Sequence, residues 1–269
     1  MTADIIDRRR LFRALHKPGD PLVTPNPWDL GSARVLESLG AKALATTSSG
    51  HAFTLGRPDG QLISLDEALE HARAVVGAVA VPVSADLESG FGDAPEAVAA
   101  TVRRAAAIGL AGCSIEDADH AGGGAYGFDA AMARAKAAVA AARESGIVLT
   151  LRADGFMNGD YDEAEAVRRA HAMADLGADV IYAPLVSPEA LRAMAACGAP
   201  VNALAVGAAA ELGREGLAAL GVARISVGGA LARLTHRVLI DAGRAVVAGD
   251  LGVLLGGAPG SEIDARLSR

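Results

Sequence analysis

The segment SADLESGFG, residues 84–92, puts two carboxylates at alternate positions of a predicted strand. Side chains two residues apart on a strand lie on the same face, so Asp86 and Glu88 are expected to point the same way at the strand's end. A buried pair of like charges is costly unless a cation or a shared proton relieves the repulsion. The spacing therefore indicates either a cation site or an exposed loop.

The next two predicted strands repeat this alternation of polar residues. One carries Ser114 and Glu116, and the following one carries Thr150, Arg152 and Asp154. In the interior of an α/β barrel such positions normally hold branched apolar side chains. Polar side chains on three consecutive strands therefore favour a functional site at the ends of these strands.

Three carboxylates of these strands, those of Asp86, Glu88 and Glu116, predict a site for a hard divalent cation. Mg²⁺ prefers oxygen ligands and retains several waters, and Mn²⁺ is the alternative. Zinc is disfavoured because no cysteine or histidine cluster accompanies the carboxylates. Structural ion pairing with arginines is the competing interpretation. Arg152 therefore has two candidate roles, to bind a substrate carboxylate through two hydrogen bonds or to neutralise the acidic cluster.

The loop TTSSGHAFTLGRPDG follows the second predicted strand and is rich in hydroxyl groups. Its backbone N–H groups, with Ser48 and Ser49, could bind an anionic oxygen, although a plain turn has the same composition. His51 in this loop and His120 in a later one are candidate acid–base groups, and solvated loop histidines are the alternative. His171 lies in a predicted helix and is interpreted as structural.

A repeated pattern of helix, glycine and short apolar run positions these side chains. It occurs in LGAKALATTSS, IGLAGCSIED, SGIVLTLRADG, LGADVIYAP, CGAPVNALA and LGVARISVGG. Glycine supplies the left-handed residue that ends a helix, and each run has the length of a strand. PLVTPN and VPVSADLE bring the number of predicted strands to eight, and Ser64 with Glu67 forms a capping box before one of the helices. The pattern predicts a single α/β barrel, a (β/α)8 TIM barrel, with an open doubly wound sheet as the alternative.

Length and composition are consistent with one barrel domain over residues 1–269, with an extra helix at about residues 4–16 closing the barrel's bottom and a tail at about residues 250–269. The formal net charge of −7 disfavours nucleic acid and anionic membranes as partners, which favours a small molecule. The start has no apolar leader segment and no apolar run could span a bilayer, so a cytoplasmic protein is expected. Cys113 and Cys197 stand between apolar neighbours and are interpreted as reduced core thiols.

A competing site lies near the end of the chain. AVGAAA and SVGGALAR follow the seventh and eighth predicted strands, where many barrels bind phosphate through glycine amides and a helix N-terminus. Such a site would indicate a phosphate-ester enzyme. No lysine accompanies either segment, which argues against this alternative.

Five segments, in this order and at these spacings, resemble the isocitrate lyase and phosphoenolpyruvate mutase superfamily: NPWDLGSARVLESLGAKALATTSSG, LGRPDG, ADLESGFGD, SIEDA and LRADGF. The resemblance covers about residues 20–245. It implies an α/β barrel that assembles as a homodimer or homotetramer, with the last barrel helix swapped between subunits. It also implies Mg²⁺, a small carboxylate substrate and a pyruvate-like enolate whose negative oxygen the metal stabilises.

The resemblance also implies roles for individual residues. The implied metal ligands are Asp86, Glu88 and Glu116, with Asp86 binding directly and the others through water. The implied substrate-binding residues are Ser48, Ser49, Gly50, Asp59, Asp86, Arg152 and Asn202. Among them, the segment Ser48–Gly50 would hold the substrate's carboxylate and 2-oxygen, Asp59 would lie near the metal, and Arg152 would contact the substrate.

The loop EDADHAGGGAYGFDAA, after the fourth strand, departs from the family pattern. Isocitrate and methylisocitrate lyases carry an acid–base cysteine there, and the enzymes that act on phosphonopyruvate carry lysine and asparagine. This chain has none of these three. Its glycines suit a mobile lid, so His120 and Tyr126 join Arg152 as predicted catalytic residues, the first two as proton donors. A plain flexible connector is the alternative.

Together these features predict a Mg²⁺-dependent lyase that breaks a carbon–carbon bond. The expected substrate is a small 2-oxo or 2-hydroxy dicarboxylic acid, cleaved through a metal-stabilised enolate, and decarboxylation is one form of this chemistry. The first alternative is a carbon–phosphorus bond enzyme of the phosphoenolpyruvate mutase or phosphonopyruvate hydrolase type. The second is a ligand-binding barrel without catalysis, which metal binding without turnover would favour.

Overall fold

Parallel strands that alternate with helices make up most of the chain. The computed structural model describes residues 3–60 and 63–268. Its strands are β1 (Leu22–Thr24), β2 (Leu44–Ala45), β3 (Val83–Asp86), β4 (Gly112–Glu116), β5 (Ala118–Asp119), β6 (Gly124–Ala125), β7 (Val148–Arg152), β8 (Val180–Tyr182), β9 (Val201–Leu204) and β10 (Arg224–Ser226). Its helices are α1 (Ala3–Ala14), α2 (Leu30–Ser38), α3 (Ser48–Thr54), α4 (Leu65–Ala78), α5 (Pro95–Ala107), α6 (Phe128–Ser145), α7 (Gly155–Asn158), α8 (Glu163–Leu176), α9 (Pro188–Ala195), α10 (Ala208–Ala219), α11 (Ala230–Val247) and α12 (Gly260–Leu267), with a 3-10 helix at Gly252–Gly256.

Eight of the strands form one sheet in the order β1, β10, β9, β8, β7, β4, β3, β2, and all neighbours are parallel. At the seam between β1 and β2, the Ala45 N–H donates to the Pro25 carbonyl at 3.3 Å. The Asn26 side chain donates to the Thr46 carbonyl at 3.1 Å. The sheet is therefore a nearly closed (β/α)8 TIM barrel, as predicted, and not an open doubly wound sheet. Strands β5 and β6 form a separate antiparallel hairpin.

The helix ends follow signals that are visible in the sequence. The Ser64 hydroxyl accepts the Glu67 N–H at 3.3 Å and the Glu67 carboxylate accepts the Ser64 N–H at 2.8 Å, which confirms the capping box before α4. Gly146 and Gly177 end α6 and α8 with φ angles of 73° and 99°, which side chains with a Cβ rarely adopt. Each glycine turns the chain into the next barrel strand.

The barrel interior changes from apolar to polar along its axis. At the bottom, Phe12 of α1 packs with a small apolar cluster formed by Leu22, Ala43, Ala111, Val148 and Val180. Farther along the strands, Thr150, Asn202 and Arg224 are buried and joined by hydrogen bonds across β7, β9 and β10. This polar layer leads to the strand ends, where a barrel enzyme has its active site.

The C-terminal region differs from a simple tail. Helix α11 is largely exposed, and its apolar Leu234, Val238 and Leu239 are 62%, 66% and 66% exposed. Beyond it, α12 packs on α2, where Arg34 donates to the Leu267 carbonyl at 3.3 Å. Across the described ranges, no helix combines the length and the apolar content that a bilayer crossing requires. The assignment of the chain to one domain stays a prediction.

The two cysteines are free and lie in different environments. Cys113 on β4 is buried, as expected, and burial raises the pKa of its thiol to about 12. Cys197 is exposed because it lies in the turn between α9 and β9, so its assignment to the core is wrong.

One buried and one half-buried histidine are expected to make the fold sensitive to acid. Burial lowers the pKa of His16 to about 3 and that of His71, whose ring stacks on His51 at 3.8 Å, to about 4. Because the unfolded chain takes up these protons at higher pH than the folded chain, the free energy of unfolding falls as the pH drops from about 6.5 toward 4. Proton uptake by His71 alone lowers the free energy of unfolding by about 3 kcal/mol over this pH range.

Denaturant unfolding of the wild type and of His71→Gln across this pH range measures the effect. The variant should lose less stability than the wild type between neutral pH and pH 4, because it lacks one of the protons taken up on unfolding. Equal losses in both proteins would contradict the assignment to His71.

Candidate active site

The carboxyl ends of β3, β4 and β7 bring together side chains that the strand pattern placed on one face. Arg152 Nη1 lies 2.8 Å from Asp86 Oδ1, and its Nη2 lies 3.2 Å from Glu116 Oε2. The same Nη2 lies 2.5 Å from Asp154 Oδ2. All four side chains are at most 16% exposed. One guanidinium therefore bridges three carboxylates, which corresponds to the neutralising role predicted for Arg152.

Asp86 accepts hydrogen bonds on both carboxylate oxygens. Ser48, at the start of α3, donates its N–H and its hydroxyl to Oδ2 at 3.3 and 2.8 Å, and the Ser114 hydroxyl donates to Oδ1 at 3.2 Å. Burial by itself raises the pKa of Asp86, but the charge of Arg152 and the bonds from Ser48 outweigh it and hold the pKa below its ordinary value. Asp86 is therefore an anion at neutral pH.

Glu88 does not continue the strand, so the prediction that it shares a strand face with Asp86 is wrong. Strand β3 ends at Asp86, and Glu88 has a φ of 47° in the turn that follows. Such left-handed strain costs on the order of 1–3 kcal/mol and recurs at functional sites. The turn keeps Glu88 close to the other acids: burial, then Asp86 and Glu116, raise its pKa to about 8. Its Oε2 is buried and has no hydrogen-bond partner among the described residues.

The acidic cluster fits a divalent cation in one particular way. Among the described residues, no three cysteine, histidine or carboxylate side chains form a closed metal cage, because Arg152 lies between Asp86 and Glu116. A cation such as Mg²⁺ uses only one or two carboxylates and fills its other positions with water and substrate oxygens. The unpartnered Glu88 Oε2 beside the anionic Asp86 suits this mode of binding.

The β5–β6 hairpin and the residue after it place the two predicted proton donors differently. His120 Nε2 lies 2.7 Å from Glu116 Oε1, and this hydrogen bond raises the pKa of His120. The Tyr126 hydroxyl donates to Asp93 Oδ1 at 2.7 Å, and burial together with this bond raises the pKa of Tyr126 to about 12. Of these two residues, only His120 is among the described residues that line the site's cavities.

Two adjoining cavities, the inner cavity of about 160 Å³ and the outer cavity of about 450 Å³, share Ser48, Asp59, Arg152 and Met157. The inner cavity opens into the barrel and is lined by polar residues that include Asn26, Ser49, Ser84, Tyr182, Arg224 and Ser226. The outer cavity is acidic and includes Glu88, Glu116, His120 and Asp154. Drug-sized ligands occupy pockets of roughly 300 Å³ or more, so the inner cavity fits a small acid. Burial, followed by the charge of Asp86, raises the pKa of Asp59.

Gly50 lies next to the inner cavity but is not among the described residues that line it. A Cβ at this position would lie 2.6 Å from Thr47 Cγ2 and 2.9 Å from Trp28 Cβ. The glycine is therefore required by the packing of α3 against its neighbours. Ser48 and Ser49, its predicted partners in substrate binding, do line the cavity.

Asn202 is fully buried below the inner cavity. Its Nδ2 donates to the Ser226 hydroxyl at 2.9 Å and its Oδ1 accepts from Arg224 Nε at 2.7 Å. Asn202 therefore orients two residues that line the cavity, and its own contact with a substrate stays a prediction. Arg224 was missed by sequence reasoning, although an arginine inside the apolar strand of LGVARISVGG is an informative signal.

Asp117 lies outside the barrel interior and supports the turn that carries Asp154. It too was missed by sequence reasoning. Its carboxylate accepts the Asp154 N–H at 2.7 Å, the Tyr161 hydroxyl at 2.8 Å and Arg169 Nη1 at 2.8 Å. These bonds fix the turn after β7 that presents Asp154 to Arg152. The side-chain alternation along β4 directs Asp117 away from the barrel interior, so the strand pattern contained no signal for this role.

Two backbone amides of the glycine-rich segment after β10 already bind a side chain of the protein. The N–H groups of Val227 and Gly228 donate to Asn26 Oδ1 at 2.9 and 3.0 Å. These two amides are therefore not free to hold a phosphate group in this structure. The observation argues against the phosphate-ester alternative.

Comparisons with known proteins agree with this architecture. A model of the family described as phosphoenolpyruvate phosphomutase matches residues 12–247. A crystal structure of a candidate lyase/mutase from Burkholderia cenocepacia has a TM-score of 0.94 and 41% identity, and the match covers 100% of this chain and 98% of that one. An uncharacterized protein of Mycobacterium tuberculosis is 33% identical over 95% of both chains. The 2,3-dimethylmalate lyase of Eubacterium barkeri is 32% identical over 62% of this chain and 59% of its own.

The barrel, its acidic strand ends and these similarities define an enzyme of the lyase and mutase class. The chain belongs to the phosphoenolpyruvate phosphomutase family, within the superfamily of phosphoenolpyruvate mutase and isocitrate lyase. The resemblance inferred from the motifs is confirmed.

Proposed function

We propose that this protein is a Mg²⁺-dependent lyase that breaks a carbon–carbon bond of a small 2-oxo or 2-hydroxy dicarboxylic acid, with Mn²⁺ as the alternative cation. The observation that carries the proposal is Glu88 Oε2, which has no hydrogen-bond partner in the described ranges and lies beside Asp86, next to a small cavity that Arg152 also lines. The name of the relative 2,3-dimethylmalate lyase supports it, since that enzyme acts on a 2-hydroxy dicarboxylate.

Each residue of the cluster has a part in this proposal. When bound, the cation supplies Lewis-acid stabilisation of the negative charge that develops on the substrate's 2-oxygen. Asp86 would hold the cation directly, and Glu88 and Glu116 would hold it through water. Arg152 keeps Asp86 ionised and offers a positive charge to the substrate carboxylate from the wall of the cavity.

The start of α3 receives the substrate's carboxylate in the proposed arrangement. Ser49 faces the inner cavity with its hydroxyl 3.0 Å from that of Thr47. Ser48 fixes Asp86 through its two hydrogen bonds. Asp59 lines both cavities and lies near the cation.

His120 is the proposed proton donor to the leaving fragment. Its raised pKa keeps the imidazole protonated closer to neutral pH than in an ordinary histidine, which suits a general acid. The glycines of the hairpin that carries it allow the loop to move over the outer cavity. Tyr126 is the less supported donor, because its proton is directed to Asp93.

A panel of acids tests the proposal. Release of pyruvate, glyoxylate, phosphate or CO₂ is measured from oxaloacetate, 2-methylisocitrate, other 2-hydroxy dicarboxylates and phosphonopyruvate, with and without Mg²⁺. Mg²⁺-dependent release of a carbon fragment is the expected result. Phosphate release from phosphonopyruvate would favour the carbon–phosphorus alternative, and Mg²⁺ binding without any release would favour a non-catalytic barrel.

We also propose that α11 packs on a second copy of the chain, as a swapped helix in a homodimer or homotetramer. The apolar side chains of α11 face solvent in the single chain. A second exposed apolar residue, Val23 of β1, points away from the barrel interior and is 43% exposed. Val23 lies in a groove of about 370 Å³ beside α2, on the outside of the barrel. Exposed apolar surfaces of this kind favour association. A cytoplasmic location stays a prediction.

Light scattering on the purified protein tests the assembly. The wild type should have at least twice the mass of one chain, and the double variant Val238→Glu, Leu239→Glu should shift toward the monomer. Leu11→Glu on α1 is the matched control, because Leu11 is also apolar and exposed. A monomeric wild type, or an unchanged mass in the double variant, would contradict the proposal.

A further inference from the structure

The buried arginines of this chain differ in what they bind. Arg152 and Arg169 form ion pairs with carboxylates. Arg9 donates to the carbonyl oxygens of three residues, Ala106, Leu110 and Ser145, and Arg134 donates to those of Ser89, Gly92 and Asp93. Arg224 has neither kind of partner among the residues that the structure describes, and it lines the inner cavity.

The bonds of Arg224 go to neutral side chains. Its Nε donates to Asn202 Oδ1 at 2.7 Å and its Nη1 donates to Thr150 Oγ1 at 3.1 Å. Within residues 3–60 and 63–268, no carboxylate forms an ion pair with it, and the residue is 4% exposed. A buried charge without a counter-ion is costly, which calls for a compensating anion. Burial lowers the pKa of Arg224 to about 10, so the guanidinium still carries its charge at neutral pH.

The inner cavity is lined by groups that can bind such an anion. Beside Arg224 it is lined by the hydroxyl-bearing side chains of Ser84, Tyr182 and Ser226. Hydroxyl groups and a guanidinium are the donors that bind a carboxylate. Glu88, Glu116 and Asp154 line only the outer cavity, whereas Asp86 and Asp59 line the inner cavity, which they share with Arg224.

We infer that Arg224 is a specificity residue that binds the second carboxylate of the substrate, the one remote from the cation. The inference rests on the proposed function and extends it. A substrate that bridges the acidic cluster and Arg224 carries one carboxylate next to its 2-oxygen and another at its far end. The site should therefore prefer a 2-hydroxy dicarboxylate to the corresponding monocarboxylate.

Malate and lactate test this preference directly, because lactate has a hydrogen where malate has its second carboxylate. Binding of each acid is measured by calorimetry in the presence of Mg²⁺. The wild type should bind malate about tenfold or more tightly than lactate, as expected for a hydrogen bond to a charged group. Arg224→Met should abolish this ratio and leave lactate binding unchanged.

Two further variants separate recognition from folding. Arg9→Met is the matched control, because it removes an equally buried guanidinium outside the cavity, and it should keep the wild-type ratio. Asn202→Asp places a carboxylate at the position that accepts from Arg224 Nε, so it should raise the melting temperature and still lower malate affinity. A purely structural role for Arg224 predicts no loss of malate affinity in this more stable variant.

These binding measurements test the role of Arg224 whether or not the protein turns over any of the acids. No preference for malate in the wild type, or the same preference in Arg224→Met and Asn202→Asp, would overturn the role of Arg224. A preference that disappears in both variants supports it. If that preference accompanies no fragment release from the acid panel, the proposed lyase function fails while Arg224 still stands as a carboxylate-binding residue.

Discussion

Replacing Arg152 with methionine is expected to lower the free energy of unfolding by about 3–5 kcal/mol, the usual cost of removing one partner from a buried ion pair. Arg152 pairs with Asp86, Glu116 and Asp154, so the variant leaves three carboxylates without their counter-ion. Protonation of Asp86, whose pKa Arg152 holds down in the wild type, relieves part of the repulsion, and this pKa should rise in the folded variant. Because the folded variant then holds protons that the unfolded chain releases, its stability should decrease further as the pH rises from 5 to 8.

Denaturant unfolding at several pH values measures this loss. Arg152→Lys is the matched control, because it retains the positive charge and loses only the planar geometry that reaches several carboxylates at once. Its destabilisation should be smaller and should depend less on pH. An Arg152→Met variant that stays within about 0.5 kcal/mol of the wild type, the range of ordinary surface substitutions, would contradict the central role of this guanidinium.

Replacing Asp86 with asparagine is expected to weaken Mg²⁺ binding by at least about 100-fold, more than the 10–100-fold that loss of an outer-shell partner costs. The substitution removes the negative charge but keeps the size of the side chain, and an amide oxygen can still accept from Arg152. The loss should therefore appear in cation affinity and in turnover rather than in folding. Calorimetric titration with Mg²⁺ measures the first of these effects.

Asp93→Asn is the matched control for this experiment. Asp93 binds the Tyr126 hydroxyl and is not among the described residues that line either cavity. The same chemical change there should leave Mg²⁺ affinity unaltered. Unchanged affinity in Asp86→Asn would remove Asp86 from the cation site and with it the proposed mechanism.

The features that could be predicted from the sequence are those that depend on short-range residue patterns. Eight strand-length runs, six of them preceded by a helix-ending glycine, were sufficient for the barrel, because a barrel strand and a helix end each leave a short-range signature. Alternation along the strands placed Asp86, Glu116 and Arg152 on one face, and the structure brings them into contact.

The features that escaped prediction depend on backbone turns and on contacts across the barrel. Glu88 leaves the strand through one left-handed residue, which no side-chain alternation reveals. Arg224 receives its partners from β7 and β9, so its environment depends on how the barrel aligns strands far apart in sequence. The exposure of Cys197 depends on the position of a turn, and apolar neighbours in the sequence do not determine it.

The pairing of β1 with β10 has a consequence for the order of folding. Leu22 lies opposite Arg224, about 200 residues later, and the ladder between these two strands joins the first part of the barrel to the last. Contacts of such high sequence separation carry a large loop-closure entropy and form slowly. During synthesis β1 must wait for β10 to emerge, so the inner cavity, which takes Arg224 and Ser226 from β10, is completed only when the ring closes.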